Sequence, residues 1–163
     1  MMHKTLCAAA FLTFAGTAQA QEITRNPIPD SDFPIAQSVQ VPPGAEVLYV
    51  SGQVPPVVDE EAEQGTRAAY GDTETQTTGV FERIEGALEN AGWSMDDVVK
   101  MQVFLVGDPE MDGAMDFDGF MSGYTQFFGP EMGNLPARSA MQVAGLVVEG
   151  WLVEIEVTAA RMP

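Results

Sequence analysis

Histidine, cysteine and basic residues are scarce in this sequence. It has one His (His3), one Cys (Cys7) and seven Lys and Arg against 24 Asp and Glu, for a formal charge of −17. His3, Cys7 and Lys4 all fall within the first twenty residues. There Lys4, an apolar run over residues 6–15 and the small-x-small triplet Ala18-Gln19-Ala20 have the order of a secretory signal peptide. The expectation is cleavage before Gln21 and an exported protein, periplasmic or secreted. The run is too short to span a bilayer, Cys7 lies too early for a lipoprotein anchor, and no later stretch is apolar for long enough to cross a membrane. After cleavage no membrane partner is expected.

Residues 21–163 then hold no His and no Cys, and six basic side chains face 24 acidic ones, a formal charge of −18. That excludes a Ser-His or Cys-His nucleophile, a zinc site of the usual ligands and a disulfide. Any general base must be a carboxylate, a Lys or a Tyr. Nucleic acid is not an expected partner, because phosphate binding needs clustered Lys and Arg and these six are scattered from Arg25 to Arg161. No cofactor and no metal are expected. Asp108-x-Glu110-x-Asp112-Gly113 mimics the start of a calcium loop, but Gly119 stands where the bidentate Glu would be, which leaves a solvated acidic turn. Met111, Met115 and Met121 read as core fillers rather than soft copper ligands.

Residues 21–35, with Pro27, Pro29 and Asp30-Ser31-Asp32, read as a loosely held N-terminal arm before a single domain over 36–163. Residues 36–41 alternate as a strand. After Pro42-Pro43-Gly44 a second strand runs over 46–50 and ends at Ser51-Gly52. The acidic segment 55–70 reads as a solvated surface loop, with a lid over a site as its alternative. Asp72, Thr73 and Gln76 form an N-cap and capping box. Val80, Phe81, Ile84, Ala87, Leu88 and Ala91 are the stripe of an amphipathic helix that stops at Gly92. A strand over 98–106 completes a β-α-β unit. Phe117, Phe120, Tyr124, Phe127 and Phe128 recur at helical spacing, with Tyr124 as packing.

The last third, residues 134–160, carries the chemistry. Pro136 restricts Leu135, so a strand starts with Arg138 near its mouth. In the run 151–160, Val153, Ile155, Val157 and Ala159 share one face while Glu154, Glu156 and Thr158 share the other. The two runs read as a β-hairpin turning at Glu149-Gly150, with Arg138 and Glu154 on neighbouring strands. Two readings of that pair stay open. It is a structural ion pair, or Arg138 offers its planar fork to a ligand carboxylate while Glu154 serves catalysis. Gly52 likewise either ends a strand or lets backbone approach a ligand.

Pro136-Ala137-Arg138-Ser139 followed by the Val-Glu-Ile-Glu-Val-Thr-Ala run of 153–159 resembles the C-terminal signature of the Rid family, the reactive intermediate deaminases of YjgF type. Upstream, Ser51-Gly52-Gln53, Gln76-Thr77, Asn90-Ala91-Gly92, Asp97-Val98-Val99-Lys100 with Val103-Phe104-Leu105, and Tyr124 with Phe127-Phe128 follow the family's order. The resemblance implies an α+β, chorismate-mutase-like sandwich. Its mixed sheet would carry two helices on one face and close its other face in a homotrimer with clefts between subunits. It also implies hydrolysis of an enamine or imine of a small carboxylate to a 2-oxo acid and ammonia. Arg138 would hold the substrate carboxylate, Glu154 would work on the water, and Gly52 and Ala140 would line the pocket. This chain departs from the family at Ile35, where a Tyr is usual, at Met121, where an Asn is usual, and at Ala140, where a Cys is usual. These changes make the pocket more apolar. The alternative function is a non-catalytic exported module that captures a small carboxylate or a protein on the same fold.

Overall fold

The computed structural model describes residues 22–163, and the expected signal segment, with His3 and Cys7, lies outside them. The strands are β1 (Thr24–Pro27), β2 (Ala36–Gln40), β3 (Glu46–Gln53), β4 (Val98–Val106), β5 (Ala137–Val143) and β6 (Val153–Arg161). The helices are the single turn α1 (Arg67–Tyr70), α2 (Thr73–Asn90) and α3 (Phe117–Tyr124), with short 3-10 turns between. The strands form one mixed sheet in the order β1-β2-β5-β4-β6-β3, and α2 and α3 lie together on one face of it.

Alternation in β4 and β6 decides which face is covered. Met101, Val103 and Leu105 from β4 and Val153, Ile155, Val157 and Ala159 from β6 are buried. They meet Val80, Phe81, Ile84 and Leu88 of α2 and Phe120 and Tyr124 of α3. Gly123 lets the two helices approach closely, since a Cβ there would lie 2.7 Å from Thr77 Cβ and 3.1 Å from the Glu74 carbonyl. The helix over 73–90 has the extent its stripe predicts, and Gly92 turns the chain at φ +79°.

The hairpin expected at Glu149-Gly150 does not form. β5 and β6 never pair: β4 lies between them, parallel to β5 and antiparallel to β6. Arg138 and Glu154 are therefore not on neighbouring strands. The reason is burial. β4 is the strand with the densest run of apolar residues, and it takes the central slot, where both neighbours shield it. A similar correction applies to the β-α-β unit over β3, α2 and β4. Its two strands are parallel but split, with β6 inserted between them, whereas β4, α3 and β5 make the adjacent unit.

Three local expectations also change. The segment read as a loose arm contains β1, which pairs antiparallel with β2. Its Arg25 guanidinium donates to the carbonyls of Val98 (2.8 Å), Leu135 (2.9 Å) and Asp96 (2.7 Å), pinning the arm across the sheet edge. Gln76 closes no capping box. Asp72 caps α2 by accepting from Thr75 N at 2.9 Å. The buried Gln76 amide instead donates to Gly71 O and Gly150 O and accepts from Leu152 N, holding the start of β6 onto α2. Asp108 is not solvated but 2% exposed, and Arg67 reaches out of the acidic segment to bind it at 3.0 Å and Glu110 at 2.9 Å.

Candidate active site

Sheet register sorts the expected site residues into two groups. Arg138, Met101 and Val157 form one row across β5, β4 and β6, and Met101 and Val157 are core residues, so this row faces the helices. Ala140, Val103 and Ile155 form the next row on that face. Glu154, Phe104 and Met141 form a row on the opposite, open face. Arg138 and Glu154 thus project from opposite sides of the sheet with β4 between them, and within one subunit they make no ion pair.

The first group gathers around Arg138. Its side chain lies where β5 leaves the cover of α3. The guanidinium carbon sits 4.3 Å from the Tyr124 ring centroid, 5.1 Å from Phe120, 5.4 Å from Phe33 and 5.8 Å from Phe117. Its Nη1 donates to Met121 Sδ at 3.3 Å. Ile35 joins Arg138 along a recess of about 430 Å3 at the ends of β2 and β5. Ile35, Met121, Arg138 and Ala140 therefore lie on one side.

Burial pulls the Arg138 pKa below its ordinary value, yet a guanidinium stays cationic in proteins. Among the described residues no carboxylate neutralises it. Cation–π contact offsets part of the desolvation, at about 0.5–2 kcal/mol for such a contact. A thioether is a weak acceptor, so most of the planar fork is unspent. A half-buried cation in this state can accept an anion with two coplanar oxygens as its partner.

Tyr124 is fixed by what surrounds it. Its ring is fully buried, its hydroxyl donates to Pro34 O at 2.6 Å, and burial pushes its pKa above the ordinary value of 10.0. It is a packing residue that also orients the chain over 33–35. Ile35 N donates to Phe33 O, and Ala36 N donates to Pro136 O. These bonds hold Phe33 at the rim of the guanidinium. The sequence reading missed Phe33 as a site residue, because a lone aromatic between Asp32 and Pro34 belongs to no periodic stripe.

The second group is Gly52 and Glu154. A Cβ on Gly52 would collide with Glu154 Oε1, so the carboxylate lies over the bare backbone of β3 at its irregular pairing with β6. Only Gly leaves room for it. Glu154 is half-buried and, among the described residues, in no ion pair. Further along the open face, Lys100, Glu156, Ser51 and Tyr49 line a second recess of about 370 Å3, and Tyr49 is 79% exposed. The described residues contain no cluster of three or more metal-ligating side chains.

Comparison with known proteins agrees with this architecture. The model of the family described as Endoribonuclease L-PSP matches residues 30–161. A RutC family protein of Pyrococcus horikoshii is 33% identical over 128 residues, covering 78% of this chain and 90% of its own length. The 3-aminoacrylate deaminase RutC of Acinetobacter baylyi is 35% identical over 122 residues, covering 75% of this chain and 85% of its own. Among solved structures, YyfB of the conserved Rid protein family from Yersinia pestis superposes with a TM-score of 0.59 at 25% identity, over 78% of this chain and 87% of that one. A YjgF/YER057c/UK114 family member from Mycobacterium tuberculosis does so with a TM-score of 0.51 at 25% identity, over 84% and 98%.

Proposed function

Because this chain belongs to the endoribonuclease L-PSP family, which includes the Rid and RutC proteins, we propose that it is a deaminase. It would hydrolyse the C=N bond of a 2-imino acid to a 2-oxo acid and ammonia. One observation carries the reading: Arg138 is a half-buried guanidinium that pairs with no carboxylate among the described residues, and it lines an open recess. That fork would take the substrate carboxylate bidentately and so fix the adjacent C=N carbon in space. A water adds to this carbon while Glu154 accepts its proton. That proton passes to nitrogen to give a carbinolamine, whose hydroxyl proton then moves to the amino group as the C–N bond breaks, so that ammonia leaves and the carbonyl forms. No cofactor is needed for this hydrolysis.

Since Glu154 and Arg138 leave opposite faces of one sheet, the site requires the open face of one subunit to meet the Arg138 edge of another. A homotrimer supplies three such clefts by rotation. The apolar open-face side chains, such as Val47 at 45% exposure, Tyr49 and Met141, would be covered in it. The family description speaks of an endoribonuclease, but only six basic residues follow position 20. Four of the six, Arg25, Arg67, Arg83 and Arg161, are spent on protein carbonyls and carboxylates. That surface suits no polyphosphate backbone. Export rests on the Lys4, apolar and Ala18-Gln19-Ala20 pattern.

Ammonia release from an imine generated by an amino acid oxidase tests the reaction. Wild type should accelerate release, and Arg138→Ala and Glu154→Gln should each abolish the acceleration. Mixing the two inactive variants, unfolded and refolded together, should restore about a quarter of the activity, because about one interface in four then joins an intact Arg138 to an intact Glu154. If 2-oxo acids stabilise the protein but no imine is hydrolysed, it is a binding module and the deaminase reading fails.

A further inference from the structure

We infer that the Arg138 site selects carboxylates bearing a large apolar side chain, and that Phe33 and Met121 set this preference. The inference rests on the deaminase reading for the identity of the reacting group, but the selectivity itself is a property of the apolar wall around the guanidinium.

Two surfaces surround the guanidinium. The buried rings of Phe120 and Tyr124 form its floor, and Phe33, Ile35, Phe117 and Met121 form its rim. The one hydroxyl in that set, on Tyr124, gives its proton to Pro34 O and has none left to donate to a ligand. Once the carboxylate has taken the fork, a substrate side chain turned toward this wall meets carbon and sulfur, whereas Gln37, Lys100 and Ser139 line the sheet side of the recess. A hydroxyl or amide turned toward that wall would lose water and find no strong partner there, which lowers its affinity. An aromatic or branched aliphatic group would instead displace water from apolar surface.

Phe33 is the residue best placed to respond to ligand size. It is 41% exposed despite its size, and the guanidinium carbon lies over its ring, 5.4 Å from the centroid. The Tyr124–Pro34 bond and the Ile35–Phe33 backbone bond hold the chain on either side of it, so its ring has a defined seat. Met121 faces the guanidinium from α3, and its unbranched thioether can reshape around ligands of different bulk. A polar amide at 121 would offer a donor and an acceptor where this chain offers neither in strength.

The test compares kcat/KM for imines generated in situ from phenylalanine, leucine, alanine and serine. In parallel, it compares the affinities of phenylpyruvate, 4-methyl-2-oxopentanoate, pyruvate and 3-hydroxypyruvate for the untreated protein. Wild type should prefer the phenylalanine- and leucine-derived compounds over the alanine- and serine-derived ones by about tenfold or more in both series. Phe33→Ala and Met121→Asn should each reduce that ratio by about tenfold, while Phe33→Leu, which keeps an apolar wall, retains it. Equal or reversed preference in the wild type overturns the selectivity, even if imines are hydrolysed. Apolar preference among the 2-oxo acids with no imine turnover overturns the deaminase reading and leaves the selectivity standing. An unchanged ratio in both Phe33→Ala and Met121→Asn, with the fold intact by circular dichroism, removes these two residues as its source.

Discussion

At the scale of single residues, Arg138 and Glu154 have separable tasks. Arg138→Lys keeps the charge but loses the planar fork, so binding of a 2-oxo acid should weaken by about 1–3 kcal/mol, read by calorimetry. Glu154→Gln keeps shape and most hydrogen bonding. It should leave that affinity nearly unchanged while lowering turnover by ~100-fold or more. Parallel losses in melting temperature with affinity and turnover intact would instead make both residues structural. Gly52 offers a sharper probe. A methyl group there collides only with the mobile end of the Glu154 side chain. Gly52→Ala should therefore melt within a few degrees of wild type yet lose activity, because the carboxylate is pushed off its seat. A Gly52→Ala protein of full activity would show that the position of Glu154 does not matter to the reaction.

At the scale of elements, α2 is held at its start by Asp72, which accepts from Thr75 and whose carboxyl is kept below its ordinary 3.8 chiefly by the hydrogen bonds from Thr75. A depressed folded pKa means stability that is present above the unfolded value and lost as pH falls through the folded one. The cap's contribution should therefore fade only below about pH 4. Asp72→Ala should cost ~1 kcal/mol at neutral pH, measured by urea unfolding, and progressively less in acid. A cost independent of pH down to pH 2 would mean that the lost term is helix propensity rather than the cap. The stripe of α2 was readable from its 3.6-residue spacing. The partners of β5 and β6 were not, because alternation reports which side chains share a face and says nothing of which strand lies alongside.

At the scale of the whole molecule, the two halves of the site lie on opposite faces, so the unit of function should be an assembly. Light scattering of residues 21–163 should give about three times the monomer mass. A stable monomer at micromolar concentration would separate Arg138 from Glu154 and refute the shared site. Export predicts that the protein recovered from periplasm or medium starts at or near Gln21 by mass spectrometry. Recovery of an intact Met1 from the cytoplasm would contradict it.

The sequence by itself determined the local quantities. These are the helix over 73–90, the apolar face of β6, the absence of His and Cys chemistry after residue 20, and the family blocks around Arg138 and Glu154. Each depends on spacing or composition within a short window. Only the tertiary structure decided what depends on long-range pairing. β4 slid between β5 and β6 because it had the most apolar surface to bury, and that insertion placed Arg138 and Glu154 on opposite faces. Arg25 turned a Pro-rich arm into a strand by reaching carbonyls more than seventy residues away, and Tyr124 drew Pro34, and with it Phe33, over the guanidinium. Contacts between distant positions leave no periodicity in the chain, so a reading of the chain alone could name the site's residues but not its geometry.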